Sequence, residues 1–550
     1  MKKPIIIVVT GGVLSGIGKG ITASSVGALL RACGYNVFMQ KMDGYLNVDA
    51  GTINPYKHGE CFVTDDGTET DLDIGHYERF IDTNLNAQSI YTMGKLYHEL
   101  ISAEREGSFL GHDVQMIPHM SSLIKSKIID AGVSAGADFH IVEIGGTVGD
   151  IENEILIESV RQLKAELPLG QVLFFHLTYI PYLLASKELK TKPTQNSVKD
   201  LRKMGINPDI LFLRADYDIS DEIRQKVSMM CGIHDQYVIP LPTLPSIYAI
   251  PNHLASYNLT QMIHTLTNLS VREPMMQKWT TLCNHISSAT ITKHIAMVGK
   301  YGTLEDAYYS LNEGLKVAGF HCGYNVMLHF LDPGEISHSN VTTLMHDMNG
   351  ICVPGGFGKR GIEGMIIACQ YARENNIPYL GVCLGSQVMA IEFARNVLGL
   401  EDATSAEFDE EGLSNNHVIH LMENQKHQTK KGGTMRLGSY PCHLREGKKV
   451  TDLYRRFGWL SSGATIVHER HRHRYEFNNQ YRDMFEQAGF VFSGTSPDGT
   501  LIEMMELPDH PFMLATQAHP EFLSRPLNPH PLFRGFIEAI TIMTKNISPS

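Results

Sequence analysis

The sequence predicts two α/β domains in tandem, each built on an open, doubly wound and mostly parallel sheet. The chain has 550 residues, more than one hydrophobic core usually organises. Short apolar runs alternate with helix-like stretches in both halves, as at 139–146, 172–177, 209–215, 350–356 and 377–383. Glycine-containing loops follow these runs, which is typical of parallel sheets that bind ligands at the carboxyl ends of their strands.

Two apolar runs followed by glycines mark the beginning of each domain. Residues 5–9 precede the run GGVLSGIGKG, and residues 295–298 precede a further glycine. Residues 271–293 lack clean periodicity and include a proline, which favours a helical or irregular linker. We therefore expect one domain at 1–270 and a second at 294–550.

The composition limits the classes of function. Hydrophobic residues make up 43% of the chain and charged residues 19%, as in an ordinary globular enzyme. The net charge of −12 disfavours nucleic acid as a partner, because nothing offsets repulsion from phosphate. The nine cysteines form no CxxC pair, so we expect a reducing, cytoplasmic location without disulfides or zinc. The run at 5–9 is too short for a signal-peptide core, and no stretch has the length of a membrane span.

The run GGVLSGIGKG is a candidate phosphate-binding loop. It follows a predicted strand and precedes the helix-like stretch ITASSVGALLRACG. Glycines let the backbone approach phosphate, the helix N-terminus supplies positive potential, and Lys19 can reach the terminal phosphates. The strict Walker pattern is not met, because Val13 and Gly20 stand at its first glycine and at its Ser or Thr. On spacing alone, both nucleotide binding and a tight structural turn stay open.

Acidic and basic clusters accompany this loop. Asp71 and Asp73 lie in TDLDIGHYERF, and Glu143 ends a strand-like run. A carboxylate at such a strand end can hold a phosphate-bound magnesium ion, although solvated acids would look the same. The segment KTKPTQ at 190–195 suits a polyanion-binding loop, with an exposed basic turn as the alternative.

The segment GVCLGSQ is a candidate nucleophile turn. Gly381 and Gly385 flank Cys383 at two residues on either side, and a predicted strand precedes them. A nucleophile on a sharp strand-to-helix turn needs small neighbours, because the backbone is strained there. A helix that begins after the cysteine would favour the thiolate.

Two further segments complete a possible amidase site. In HPE, His519 can act as general base while Glu521 holds its other ring nitrogen; on an extended strand both would share one face. The glycine amides of VPGGFG at 353–358, with the amide of Leu384, can point at an oxyanion. Alone, Cys383 could be a buried cysteine and His519 a structural histidine. Together the three segments predict a glutamine amidotransferase.

Longer stretches resemble the CTP synthase family over essentially the whole chain. They include VTGGVLSGIGKG, HGECFVTDDGTETDLDIGHYERF, VEIGGTVGDIE, KTKPTQ, DILFLRAD, VPGGFGKRGIEGM, GGTMRLG and ERHRHRYEFNN. The resemblance implies a P-loop-like synthetase domain fused to a class I glutaminase domain. It also implies the reaction: ATP phosphorylates the 4-oxygen of UTP, Cys383 releases ammonia from glutamine, and the ammonia displaces phosphate to give CTP.

The resemblance further implies Mg²⁺, ATP as co-substrate, GTP as allosteric activator, inhibition by CTP, a homotetramer and filaments. The implied ATP contacts are Gly16, Ile17, Gly18, Lys19, Gly20, Ile21 and Asp73, with Lys41 close to the reacting phosphates. The implied UTP and CTP contacts are Ser15, Asp150, Ile151, Glu152, Lys190, Thr191, Lys192, Pro193, Thr194, Gln195 and Lys226. The implied magnesium ligands are Asp73 and Glu143. The implied glutamine pocket consists of Gly356, Leu384, Gly385, Ser386, Gln387, Glu407 and Arg474, and the implied GTP-activation loop of Arg360, Gly361 and Glu363. Ser386 and Ala518 depart from the family, which usually has Met and an aromatic residue there.

Two other hypotheses stay open. An ATP-dependent amidase of a cofactor carboxylate could share the two-domain plan, but it would not need KTKPTQ or the HGE…HYERF stretch as a pyrimidine triphosphate site. A non-enzymatic, nucleotide-gated scaffold would not need Cys383, His519, Glu521 or the acidic pair. The sequence favours the glutamine-dependent ligase over both.

Overall fold

The chain divides into two compact units in a computed structural model. The described residues are 3–51, 59–301, 305–409, 411–425 and 433–546. The first unit comprises Met1–Ala50 and Asp73–Cys283, and the second comprises Gly51–Leu72 and Asn284–Ser550. Residues 51–72, which the sequence prediction assigns to the N-terminal domain, therefore cluster with the second unit. The functional boundaries at 271–293 stay a prediction.

The strands and helices are numbered in chain order among the described residues. The strands are β1 (Ile5–Gly11), β2 (Val37–Asp43), β3 (Phe62–Val63), β4 (Glu69–Thr70), β5 (Ile90–Thr92), β6 (Phe139–Ile144), β7 (Val172–Tyr179), β8 (Tyr182–Leu183), β9 (Glu188–Leu189), β10 (Ile210–Ala215), β11 (Val238–Pro242), β12 (Ile291–Val298), β13 (Tyr324–Leu331), β14 (Gly350–Val353), β15 (Tyr379–Val382), β16 (Thr404–Ser405), β17 (His417–Leu421), β18 (Arg436–Leu444), β19 (Ile466–His473), β20 (Tyr475–Phe477), β21 (Val491–Thr495), β22 (Ile502–Glu506) and β23 (Met513–Thr516). The α-helices are α1 (Lys19–Ala32), α2 (Leu72–Ile81), α3 (Met93–Arg105), α4 (Ser121–Ser134), α5 (Glu154–Glu166), α6 (Lys192–Lys203), α7 (Asp221–Cys231), α8 (Ile250–Ser256), α9 (Leu259–Thr267), α10 (Gln277–Ser288), α11 (Tyr309–His321), α12 (Val341–Met345), α13 (Ile362–Glu374), α14 (Leu384–Asn396), α15 (Lys449–Arg456), α16 (Arg482–Gln487) and α17 (Pro531–Asn546).

The first unit contains a seven-stranded parallel sheet in the order β11-β10-β7-β1-β6-β2-β5. Helices cover both faces of this sheet. Successive side chains of a strand point to opposite faces, so neighbouring residues of one strand contact different helices. Ile141 of β6 faces α1, where a Cβ on Gly27 would lie 3.5 Å from its Cδ1. The next residue, Val142, belongs to a core cluster with Ile128 of α4 and Leu156 of α5. The apolar run at 5–9 thus forms the central strand of a doubly wound sheet.

The second unit contains a nine-stranded sheet in the order β13-β12-β14-β15-β23-β22-β21-β18-β19. The first five strands in this order, β13, β12, β14, β15 and β23, are parallel. The remaining pairs are antiparallel, an extension that the sequence patterns do not predict. The prediction of two α/β domains is confirmed. Because β12, β14, β15 and β23 are neighbours and parallel, the loops after them meet at one edge of the sheet.

The predicted linker is mostly helical. Within residues 271–293, α10 buries Trp279, whose ring stacks on Phe80 at 5.5 Å in the first unit. Among the described residues, no helix combines the length and apolarity needed to cross a bilayer.

Candidate active sites

Cys383 occupies a strained turn between β15 and α14. Its φ of 50° and ψ of −99° are unfavourable for any residue with a Cβ. Its amide donates to Thr516 O of β23 at 2.7 Å. A Cβ on Gly381 would lie 2.5 Å from Gly385 O, and a Cβ on Gly385 would lie 2.1 Å from Val353 O. The flanking glycines are therefore required by close approach of backbone to backbone.

His519 and Glu521 follow β23 at the same edge of the sheet. His519 Nδ1 lies 2.7 Å from Glu521 Oε1, and the amide of His519 donates to Arg470 O at 2.8 Å. The expectation of an extended strand is wrong here, because Pro520–Phe522 forms a 3-10 turn. Pro520 begins this turn, a position where its fixed φ and missing N–H are tolerated. The turn still brings the carboxylate to the ring.

The cysteine and the histidine lie together against Gly355. A Cβ on Gly355 would lie 3.6 Å from Cys383 Cβ and 3.0 Å from His519 Cε1. Burial alone lowers the pKa of His519, but the Glu521 carboxylate and Cys383 together raise that pKa to about 10. Gln517 Nε2 donates to Cys383 Sγ at 3.5 Å. This arrangement suits a thiol nucleophile beside a buried imidazolium.

A small cavity of about 80 Å³ opens on these groups. Its lining includes Gly355, Gly356, Cys383, His519 and Glu521 from the sequence-predicted segments. Phe357 also lies within the predicted segment 353–358, whereas sequence reasoning did not predict the remaining lining residues, which are Glu60, Cys61, Tyr301, Ala307, Tyr308, Leu311, Arg472 and Phe522. Arg472 belongs to the stretch ERHRHRYEFNN, in which the alternation of arginine and histidine does not show which arginine faces the cavity.

The expected glutamine-pocket residues other than Gly356 are not among the lining residues of this cavity. Ser386 Oγ donates to Cys383 O at 2.7 Å, inside the first turn of α14. Gln387 Nε2 donates to Tyr475 O and Gln517 Oε1, both at 3.2 Å. Leu384 and Gly385 form the beginning of α14.

Arg474 and Glu407 are also tied to other residues of the second unit. Arg474 donates to Gln425 Oε1 at 2.6 Å and to Thr434 Oγ1 at 2.9 Å. Glu407 Oε1 accepts a 2.7 Å hydrogen bond from the Gly358 amide, and burial raises the pKa of Glu407. The guanidinium of Arg474 and the carboxylate of Glu407 have opposite charges, which complements the α-carboxylate and the α-ammonium of an amino acid.

The expected GTP-activation loop lies at the start of α13. Arg360 contacts Asp332 at 3.3 Å and donates to the carbonyl of Lys300. Gly361 precedes the helix with a φ of 73°, and Glu363 pairs with Arg395 at 2.8 Å.

The candidate phosphate loop of the first unit joins β1 to α1. Val13, Gly16 and Gly18 have φ values of 81°, 74° and 92°, so the loop turns through backbone conformations that favour glycine. Lys19 begins α1 and donates to Gly146 O at 2.6 Å. A cavity of about 500 Å³ is lined by the expected residues Ser15, Gly16, Gly18, Lys19, Gly20, Ile21, Lys41, Asp73, Glu143, Asp150 and Glu152. Ile17 and Ile151 are not among its lining residues.

Asp73 and Glu143 converge beside Gly20. A Cβ there would lie 2.4 Å from Asp73 Oδ1 and 3.5 Å from Glu143 Oε2. Burial and the Asp73 carboxylate raise the pKa of Glu143 to about 7. Burial opposes ionisation of Asp73, but Lys41, 2.6 Å away, holds the pKa of Asp73 below its usual value. Two crowded carboxylates beside a phosphate loop fit Mg²⁺, which is commonly held by one or two carboxylates plus substrate phosphates.

The expected nucleotide contacts at 190–195 and Lys226 are not among the lining residues of this cavity. Thr191 precedes α6, which contains Lys192, Pro193, Thr194 and Gln195. Lys190 pairs with Glu188, and Lys226 also helps to lower the pKa of Glu188. None of these residues lines the 500 Å³ cavity of the first unit.

Comparison with known proteins decides the family. The model described as CTP synthase N-terminus matches residues 5–269, and the model described as glutamine amidotransferase class-I matches residues 303–539. The CTP synthase of Levilactobacillus brevis is 50% identical over 542 residues, which cover 98% of this chain and 99% of that protein. The chain belongs to the CTP synthase family. The CTP synthase of Bacillus subtilis is 49% identical over 533 residues, 97% of this chain and 98% of that protein.

Among solved structures, the glutaminase domain of Trypanosoma brucei CTPS with bound acivicin is 35% identical to this chain. The matched region covers 46% of this chain and 94% of the Trypanosoma brucei chain, with a TM-score of 0.41. As a member of the CTP synthase family, the protein is a glutamine-dependent ligase.

Proposed function

We propose that the protein converts UTP, ATP, glutamine and water to CTP, ADP, phosphate and glutamate. The observation that supports this most is the convergence of Cys383, Gly355, His519 and Glu521 on one cavity of a chain that also carries the phosphate loop. A thiol, a base and an orienting carboxylate are the parts that amide hydrolysis through a thioester needs.

In the glutaminase step, Cys383 Sγ attacks the amide carbon of glutamine. The amides of Gly356 and Leu384 are expected to donate to the oxyanion. His519 protonates the leaving ammonia and then accepts a proton from the water that hydrolyses the thioester, while Glu521 keeps the ring oriented. Arg474 and Glu407 are expected to bind the α-carboxylate and α-ammonium of glutamine, because an arginine grips a carboxylate in bidentate fashion.

In the synthetase step, the loop amides and Lys19 hold the phosphates of ATP. Asp73 and Glu143 would hold Mg²⁺, which neutralises charge on the transferring phosphoryl group when bound. Lys41 lies 2.6 Å from Asp73 and adds positive charge next to the same phosphates. ATP phosphorylates the 4-oxygen of UTP, and ammonia then displaces that phosphate at C4.

Of the expected pyrimidine nucleotide contacts, Ser15, Asp150 and Glu152 line the phosphate-loop cavity, whereas the segment 190–195 and Lys226 do not. This supports completion of the site by a second copy. We propose a homotetramer in which Ser15, Asp150 and Glu152 of one copy meet the segment 190–195 and Lys226 of another. CTP would compete at this triphosphate site. Activation by GTP through Arg360, Gly361 and Glu363, filament formation and a cytoplasmic location belong to the same proposal.

The test is Cys383→Ala assayed with two nitrogen sources. We expect glutamine-dependent CTP formation to be lost and ammonia-dependent formation to be retained, because only the first step uses the thiol. Cys322→Ala, a half-buried cysteine outside the cavity, is the matched control and keeps both activities. Loss of both activities in Cys383→Ala alone would contradict the division of labour. Product from a carboxylate acceptor and none from UTP would instead support the cofactor-amidase hypothesis.

A further inference from the structure

The peptide bond between Phe357 and Gly358 is held at both of its edges. Lys300 Nζ donates to Phe357 O at 3.0 Å and also to Gly358 O. The amide of Gly358 donates to Glu407 Oε1 at 2.7 Å. The carbonyl and the amide of a trans peptide point in opposite directions. Lys300 and Glu407 therefore grip opposite edges of one peptide plane.

Lys300 makes these contacts from a buried position. It follows β12, and only 3% of its surface is exposed. Hydrogen bonds from an ammonium group are stronger than neutral ones, and a low local dielectric strengthens them further. Arg360 donates to the backbone carbonyl of Lys300, so the residue is fixed at both its main chain and its side chain.

The held peptide lies next to the expected oxyanion donors. A Cβ on Gly356 would lie 3.5 Å from Lys300 Cδ and 3.3 Å from Leu384 Cδ2. The side chain of Lys300 thus runs along Gly356 before it reaches the peptide two residues further on. A rotation of the Phe357–Gly358 peptide would break the contacts to Lys300 and Glu407 together. Gly356 is joined directly to Phe357, so the position of this peptide constrains the backbone of Gly356.

We propose that Lys300 is a positioning residue for glutamine hydrolysis, which fixes the Phe357–Gly358 peptide and so holds the adjoining amide of Gly356 where it can donate to the oxyanion. This inference rests on the proposed glutaminase function. Lys300 touches no reacting atom in this scheme, and it acts through the loop. Its loss should lower the rate of the glutamine reaction more than the affinity for glutamine, because the oxyanion exists only after attack.

The first test replaces the ammonium without emptying the site. Lys300→Met should lower kcat for glutamine hydrolysis by about 10- to 100-fold, less than the loss of a direct oxyanion donor costs. KM for glutamine and ammonia-dependent CTP synthesis should each stay within about threefold of wild type. Lys300→Arg keeps the charge and should recover part of kcat.

Lys293→Met is the matched control, since Lys293 lies in β12, the strand that Lys300 follows, and is also buried. Its ammonium lies 5.1 Å from the Tyr324 ring centroid, away from the glycine loop. We expect its kcat with glutamine to match that of wild type. An unchanged kcat in Lys300→Met, or an equal loss with ammonia, would overturn the positioning role. A wild-type protein that hydrolyses no glutamine would overturn the proposed function as well.

A pH profile separates positioning from simple packing. Burial lowers the pKa of Lys300 to about 8; the negative charge of Glu407 opposes this shift and the positive charge of Arg360 adds to it. In wild type, kcat with glutamine should therefore fall as pH rises through about 8, whereas ammonia-dependent synthesis should show no such fall. Lys300→Met should lack this alkaline limb, and Lys300→Arg should move it out of range, because a guanidinium stays protonated. The same limb in Lys300→Met would refute the inference.

Discussion

His519 Nδ1 lies 2.7 Å from Glu521 Oε1, and both side chains are buried. Burial would leave the imidazole neutral, but the carboxylate and Cys383 raise its pKa to about 10. The pair therefore fixes the charge of the ring as well as its orientation. A protonated ring is the form that can act as a general acid.

Removal of the carboxylate charge should lower the pKa of His519. In Glu521→Gln, burial is opposed by Cys383 alone, so the NMR titration of the ring should move to lower pH. We expect kcat for glutamine hydrolysis to fall by about 10²- to 10⁴-fold, as in other catalytic triads that lose their acidic member.

Glu469→Gln provides the control for this titration. Glu469 is a buried carboxylate of the same unit that contacts His530 at 3.1 Å and lies outside the cavity lining. Its replacement should leave the titration of His519 unchanged. The stability effect has a definite sign: a raised histidine pKa stabilises the fold below about pH 6.5, and this contribution is lost as pH rises towards 10. A His519 titration identical in wild type and Glu521→Gln would contradict the assignment.

A methyl group at Gly385 should disrupt the nucleophile turn. Its Cβ would lie 2.1 Å from Val353 O, and backbone cannot yield as a flexible side chain does. We expect Gly385→Ala to lower the free energy of unfolding by about 3 kcal/mol or more and to abolish glutamine hydrolysis. The neighbouring Ser386→Ala should cost less than about 1 kcal/mol, because it removes one neutral hydrogen bond to Cys383 O. Urea unfolding followed in parallel with glutamate release checks both; equal effects would refute the argument from close approach.

A methyl group at Gly20 should impair CTP synthesis from both nitrogen sources, whereas Cys383→Ala should impair only the glutamine-dependent synthesis. The new Cβ would lie 2.4 Å from Asp73 Oδ1 and would displace that carboxylate. We expect the apparent affinity for Mg²⁺ in CTP synthesis to fall about 10- to 100-fold with either nitrogen source.

Gly27→Ala is the control in the same helix. Its Cβ would meet Ile81 Cγ2 at 2.8 Å, so it disturbs packing but approaches no carboxylate. It should lower stability and leave the Mg²⁺ dependence unchanged. If Gly20→Ala keeps the Mg²⁺ dependence of wild type, Asp73 does not act as a ligand.

Local patterns predicted the parts of the molecule that local physics determines. The apolar run at 5–9 predicts a buried strand, because a strand covered on both faces needs apolar side chains throughout. The glycines around Cys383 predict a tight turn, because backbone that approaches backbone closely leaves no room for a Cβ. The edge that gathers Gly355, Cys383 and His519 follows from the order of parallel strands. The catalytic roles at this edge stay predictions.

The contacts that sequence patterns could not supply are those between distant segments. In the sequence, Lys300 is a single lysine that follows a predicted strand. Its hydrogen bond to Phe357 O is visible only in the folded structure. Residues 59–72 follow the N-terminal strands closely in sequence, yet two of them have partners about 400 residues away: Asp65 binds Arg470 and Glu69 binds Arg472. No spacing rule reports a pair of that separation.

The pair Asp65–Arg470 offers a test of how the segment 59–72 is held in the second unit. Arg470 is fully buried and donates through Nε to Asp65 Oδ1 at 2.6 Å, while its Nη1 donates to Val63 O and Phe522 O. In Asp65→Asn the guanidinium keeps its carbonyl partners and loses its counter-charge. Because Asp65 is partly exposed, we expect a loss of about 1–3 kcal/mol in the free energy of unfolding rather than the larger cost of a fully buried pair.

Asp347→Asn, which changes an exposed aspartate of the same unit, should alter the free energy of unfolding by less than about 0.5 kcal/mol. Since Phe522 also stacks on His519 at 5.0 Å, glutamine hydrolysis should be lost at a lower urea concentration in Asp65→Asn than in either wild type or Asp347→Asn. Equal urea midpoints in all three proteins would mean that the buried arginine does not depend on Asp65.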